Sequence, residues 1–195
     1  MPDDIGNLAN LEVLILSNNS LKKLPPAIGE LKKLRILDLD ENKIEALPYE
    51  IGELSSLSKL TVNNNKLTTI PKSIGKLTNL ESLHLSENKL LSLPEEIGSY
   101  FSCSDAERSR TKPPETNPLV LPVRPRAGFL EKLYQLFVND NMELQSLPYA
   151  LALCQNLQIM NIEKCPLSKI PAEVVSSGPS TVIQYLRLSS SYREM

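Results

Sequence analysis

The side chains with chemistry to offer sit in a few places. His84, the one histidine of the chain, stands beside Ser82, Ser86 and Glu87, the residue types from which a nucleophile and its base are assembled. Alternate residues of a strand lie about 6 to 7 Å apart along an open sheet, with no pocket to exclude water and no oxyanion donors, so hydrolysis is not expected there. Asp38, Asp40 and Glu41 carry oxygens that suit a hard cation. Their rigid outward spread, however, keeps six ligands from converging. Cys103, Cys154 and Cys165 have no paired spacing, and the chain contains no CxxC, no HExxH and no phosphate-binding glycine loop. No catalytic residue, metal or cofactor is expected, and the chain does not read as an enzyme.

The elements that position these residues are written in a repeat. Ile5-Gly6, Ile28-Gly29, Ile51-Gly52, Ile74-Gly75 and Ile97-Gly98 recur at a constant interval. Within it Leu34, Leu37, Leu39, Asn42, Ile44, Leu47 and Pro48 return as Leu57, Leu60, Val62, Asn65, Leu67, Ile70 and Pro71. Seven agreeing positions per unit define a leucine-rich-repeat solenoid of α/β class. The alternating leucines of L-x-x-L-x-L-x-x-N describe a short strand with one face inward. The strands stack into a curved parallel sheet on the concave side, and the convex return is irregular or only briefly helical. A single unit buries too little to offset the entropy of ordering it, so stability depends on neighbours sharing faces. Asn19, Asn42, Asn65, Asn88 and Asn141 form a structural ladder whose amides satisfy backbone groups where each strand turns away. Cys165 takes the ladder position in the last unit and Cys154 takes a repeat leucine's place, so both read as structural.

Such a fold presents surface, and the outward positions follow from the pattern. The predicted partner-binding set is Asp38, Asp40, Glu41, Lys59, Thr61, Asn63, His84, Ser86, Glu87, Phe137, Asn139, Asp140, Asn161 and Glu163, with Val13, Ile15 and Ile36 on the same face. Acids outnumber bases there, which favours a partner with a basic patch. Phe137 and Ile15 are candidate apolar anchors.

Whole-chain charge is close to balanced, 21 Lys plus Arg against 23 Asp plus Glu, which gives no electrostatic footprint for nucleic acid or an anionic membrane. No apolar run is long enough to span a bilayer, and the first ten residues lack the pattern of a signal peptide. With an odd number of unpaired cysteines, the expected location is the reducing cytoplasm, with the nucleus as a further compartment open to it.

Residues 99–129 interrupt the repeat. The pattern stops after Gly98 and resumes at Leu130, Leu133, Leu136, Val138 and Asn141, and the stretch between carries Pro113, Pro114, Pro118, Pro122 and Pro125. It is expected to be a disordered or extended excursion, with a polyproline docking strand as a second reading. The organisation is therefore repeats over 1–98, this insertion, repeats of the same solenoid over 130–171, and a helical cap over 172–195. In that cap Ser180 is expected to start a helix with Val182, Ile183 and Leu186 on one face. The chain opens partway through a unit, which predicts a shortened or mis-spliced product as the alternative to a working module.

The carboxy-terminal stretch, with LALC at Leu151 to Cys154, KCPLSKIP at Lys164 to Pro171, GPS at Gly178 to Ser180 and IQYL at Ile183 to Leu186, closely resembles the Shoc-type leucine-rich scaffold family of the Ras to RAF pathway. The resemblance covers Met1 to Gly98 and Leu130 to Met195. It implies a non-catalytic scaffold whose family members hold active M-Ras together with the catalytic subunit of type-one protein phosphatase, which then dephosphorylates RAF kinases. It also implies a partner-facing role for the row from Asp38, Asp40 and Glu41 through His84 and Glu87 to Phe137, Asn139 and Asp140. The family's amino-terminal extension and earlier repeats, which carry phosphatase docking and much of the Ras contact, have no counterpart in this sequence.

Overall fold

The computed structural model describes residues 1–98 and 130–189. The proline-rich insertion and the polyproline reading lie outside the described residues.

Six three-residue strands, β1 (Val13–Ile15), β2 (Ile36–Asp38), β3 (Lys59–Thr61), β4 (Ser82–His84), β5 (Gln135–Phe137) and β6 (Ile159–Asn161), form one parallel sheet in chain order. The register advances by one repeat at each step, with Leu14, Leu37, Leu60, Leu83, Leu136 and Met160 aligned. β4 pairs with β5 as the earlier strands pair with each other, so the solenoid passes the insertion without a break. The aligned leucines from Leu37 to Leu136 are fully buried, as are Leu39, Val62, Leu85 and Val138 two residues on.

The return path is a series of 3-10 turns: Pro26–Glu30, Tyr49–Glu53, Lys72–Lys76, Glu95–Ile97 and Tyr149–Leu153, with Asp3–Asn7 before them. Each follows a proline held near φ −70°, a geometry that admits the chain to a tight turn but keeps it out of a ladder. The proline carbonyl accepts a hydrogen bond from the isoleucine three residues on, as Pro48 does from Ile51 at 3.1 Å. The glycine after each isoleucine lets the next turn lie against bare backbone. At Gly98 a Cβ would collide with the carbonyl of Ala150 in the following turn.

The neck of the insertion has a definite geometry. In regular units the isoleucine carbonyl accepts from the leucine amide three residues later: Leu31 to Ile28 at 3.2 Å, Leu54 to Ile51 at 3.3 Å and Leu77 to Ile74 at 3.1 Å. At the interrupted unit the amide of Leu130 donates to the carbonyl of Ile97 at 3.3 Å. The same bond is made across a much longer stretch of chain.

The helical end consists of two helices, α1 (Ala172–Ser176) and α2 (Pro179–Ser189). The sequence indicated one helix begun by Ser180, whereas α2 already starts at Pro179, so Ser180 lies within its first turn. The fixed φ of proline suits that position, and Gly178 at φ 94° makes the sharp entry. Val182 and Leu186 are buried against the last repeat, Ile183 is partly buried, and Arg187 Nε donates to the carbonyl of Ala152 at 3.1 Å.

The asparagine ladder does what its spacing suggests. Asn65 Nδ2 donates to the carbonyls of Leu39 and Asn63 at 3.0 Å, and its Oδ1 accepts from the amide of Ile44 at 2.9 Å. Asn42, Asn88 and Asn141 bridge two units in the same manner. Asn19 is exposed, and its side chain bonds only to Leu16 and Ser17 of its own unit. Cys165 donates its thiol to the carbonyl of Val138 at 3.0 Å and has no need to accept. The residue added around Met142 widens the preceding loop, so the amide of Leu144 finds the carbonyl of Asn141 at 3.1 Å within its own turn. That is why a cysteine serves where the other units require an amide.

Candidate protein-interaction face

The middle outward position of the sheet carries Ile15, Asp38, Thr61, His84, Phe137 and Asn161 in register, and the position before it Val13, Ile36, Lys59, Ser82, Gln135 and Ile159. The sheet aligns the predicted strand residues Asp38, Lys59, Thr61, His84, Phe137 and Asn161 on one side, and the accessibility of the predicted set differs. Lys59, Glu41, Glu87 and Glu163 are exposed, and Asp38, Asp40, Asn63, His84, Phe137, Asn139, Asp140 and Asn161 are half-buried. Thr61 and Ser86 are buried. Alternation places a side chain on a face without saying how closely its neighbours crowd it.

A relay of hydrogen bonds runs along this face. Thr61 Oγ1 donates to Asp38 Oδ1 at 2.9 Å, and the amide of Asp40 donates to the same oxygen at 3.0 Å. Both carboxylate oxygens of Asp40 accept from Asn63, at 2.7 Å from its amide and 3.1 Å from Nδ2. Asn63 Oδ1 accepts from the amide of Ser86 at 2.9 Å, and Ser86 Oγ donates to Asn139 Oδ1 at 2.6 Å. Asn139 Nδ2 donates to Asp140 Oδ2 at 2.8 Å. These bonds fix rotamers before any partner arrives, which lowers the ordering cost of binding.

His84 forms no pair with Ser82 or Ser86. The hydroxyls of Ser82 and Ser86 donate to Gln135 and Asn139. His84 lies edge-on to Phe137, ring centroids 4.6 Å apart. Its Nε2 is buried without a hydrogen-bond partner, and desolvation holds its pKa below the ordinary histidine value, although Gln135 works against that shift. Phe137 is therefore partly covered rather than a free anchor, while Ile15, 64 % exposed, is open. Among the described residues no group of three or more His, Cys, Asp or Glu side chains is placed to hold a metal. Burial pushes the Cys154 thiol up to about 12.

The charge pattern at the rim was only partly legible. Lys164 Nζ reaches Asp140 Oδ1 at 2.7 Å, and that ammonium holds the Asp140 carboxyl below the usual carboxylate range. Asp140 thus contributes less free negative charge than a count of acids implies. Glu41 and Glu87 sit in the left-handed region, at φ 53° and 54°, one residue before the ladder asparagine. Asn18 and Asn64 fill the equivalent position at φ 58° and 51°. Asparagine tolerates that conformation through local hydrogen bonding, whereas for other L-residues it costs roughly 1 to 2 kcal/mol.

A family model described as a leucine-rich repeat region matches residues 27–104, and a second, described as a leucine rich repeat, matches 5–44. Repeats, sheet and turns together define a leucine-rich-repeat protein, a class that works by presenting an open surface. Within that class the chain is similar to soc-2 homologs over part of its length. A 57-residue stretch, 29% of the chain, is 63% identical to a leucine-rich repeat protein soc-2 homolog of Nematostella vectensis and 56% identical to one of Drosophila pseudoobscura pseudoobscura. These matches span 10% and 9% of the length of those relatives. Among solved structures, a leucine-rich-repeat protein of Leptospira interrogans superposes with a TM-score of 0.58 at 29% identity, over 85% of this chain and 40% of that one. The leucine-rich-repeat ectodomain of an Arabidopsis thaliana membrane receptor kinase, in complex with Casparian strip integrity factor 2, gives 0.60 at 28% identity over 83% of this chain and 16% of that one.

Proposed function

We propose that this chain is a non-catalytic scaffold module of Ras to RAF signalling in the cytoplasm. Its open sheet face receives a basic surface of a protein partner, either the catalytic subunit of type-one protein phosphatase or an M-Ras-type GTPase. The similarity to soc-2 homologs supports the pathway, and two buried, reduced cysteines suit the compartment.

The observation that carries the proposal is the backbone at Glu41 and Glu87. Sibling units place Asn18, Asn64, Asp140 and Lys164 there; Glu41 and Glu87 hold exposed negative charges in the same strained conformation, and strain of this kind collects where a surface is used. Replacing both by asparagine separates fold from function. Stability should rise by roughly 1 kcal/mol, since only part of each left-handed penalty is recovered. Affinity for the phosphatase subunit, titrated by calorimetry, should fall about tenfold, or ~1.4 kcal/mol. Undiminished affinity in this stabilised variant would remove the acidic rim from the binding surface.

A further inference from the structure

Beside the acidic rim, on the loops that leave the strands, runs a feature that the open-face reading does not use. Three consecutive loops read Asn-Lys-apolar, Asn42-Lys43-Ile44, Asn65-Lys66-Leu67 and Asn88-Lys89-Leu90, after a first that has Ser20 in the lysine's place. The ladder asparagine points inward, which turns the lysine out. The backbone keeps the three in register, since the amides of Lys43, Lys66 and Lys89 donate to the carbonyls of Leu21, Ile44 and Leu67, each at 2.9 Å. Successive coils are separated by about one strand spacing, ~4.8 Å, so the row spans roughly 10 Å. All three lysines are exposed, and none is in an ion pair among the described residues. Like charges held this close repel one another, and a ligand of opposite charge relieves that repulsion.

The row ends on apolar surface. In the next unit the position after the asparagine is Met142, 64 % exposed, and Leu91, two residues past Lys89, is 50 % exposed. The acidic flanks set the width of the stripe. Glu41 and Glu87 lie two residues before Lys43 and Lys89, and Glu45 lies two residues after Lys43; all three are exposed. A broad polyanion, whether a bilayer or a nucleic acid backbone, would press on those carboxylates. A single extended chain would not.

We infer that the Lys43, Lys66 and Lys89 row, closed by Leu91 and Met142, is a second docking surface for an extended protein segment bearing three or four consecutive Asp or Glu residues followed by a large apolar residue. It adjoins the acidic rim of the open sheet face, with Glu41 and Glu87 two residues from its lysines.

The test uses the full chain and a fluorescein-labelled peptide of four glutamates followed by leucine, read by anisotropy at low and at physiological salt. Saturable binding is expected, weakening as salt rises. In the triple variant Lys43→Gln, Lys66→Gln, Lys89→Gln it should weaken at least tenfold, and in Met142→Ser it should weaken severalfold. These side chains are exposed, so both variants should keep the parent's melting temperature. Equal binding by the triple variant, or no binding by the parent chain at millimolar peptide, overturns the inference. So does preferential, lysine-dependent binding of phosphatidylserine vesicles or a single-stranded RNA oligomer over the peptide.

Discussion

Asn141→Ala should lower the stability of the chain by about 3 kcal/mol, read as a drop in the urea midpoint at unchanged slope. Asn141 is fully buried. Its Nδ2 donates to the carbonyls of Val138 at 2.7 Å and Leu85 at 3.0 Å, and its Oδ1 accepts from the amide of Leu90 at 3.0 Å. Alanine leaves the Leu90 amide with nothing to bond, at about 1 to 3 kcal/mol for a group that water cannot reach, and removes two further buried hydrogen bonds at roughly 1 kcal/mol or less each. The carbonyls suffer less, because Leu85 keeps the bond from Asn88 Nδ2 and Val138 keeps the bond from the Cys165 thiol. Asn19→Ala is the internal comparison: its side chain is exposed and bonds only within its own unit, so about 0.5 to 1 kcal/mol is expected. If the two substitutions cost the same, the ladder is not what binds the units.

The second expected result runs in the opposite direction. Deleting residues 100–129 should leave a folded solenoid more stable by roughly 2 kcal/mol, since loop-closure cost grows with the logarithm of length and this closure is shortened about tenfold. The bond between Leu130 and Ile97 shows that the unit already meets across the gap as a regular unit would. Joining Ser99 to Leu130 also restores an Ile-Gly-x-Leu sequence identical in pattern to Ile51-Gly52-Glu53-Leu54. Circular dichroism and a denaturant titration of the shortened chain decide it. A shortened chain that is less stable than the parent would mean that the insertion contributes packing of its own.

Some of this was legible from residue types alone and some was not, for identifiable reasons. Apolar periodicity fixes which leucines are buried, because a shift of one residue would turn the whole set to solvent. Strand register and the asparagine ladder follow from it. Crowding does not follow, so Thr61 and Ser86 read as available although their hydroxyls are committed to Asp38 and Asn139. Pairing between units was also hidden. Nothing near Asp140 in the sequence announces that Lys164 will neutralise it. Backbone conformation escaped notice where glutamate occupies the left-handed position, although Asn18 and Asn64 at the same place in sibling units were a usable signal. The lysine row was visible as a recurring Asn-Lys pair. The nearly balanced net charge hides it, because a sum over the chain carries no sign of local charge.

Near-identical coils raise a problem of address, since a coil that docks one position out of turn meets almost the same surface it should have met. The junction of the last two units solves this. The Leu144 amide is satisfied inside its own widened turn, so that coil accepts a neighbour bearing Cys165. Any other coil placed against Cys165 would offer an amide, such as that of Leu90, which the thiol does not serve as Asn141 Oδ1 does. The two irregularities work as a matched pair, and they give an otherwise repetitive stack one join that only the proper neighbours complete.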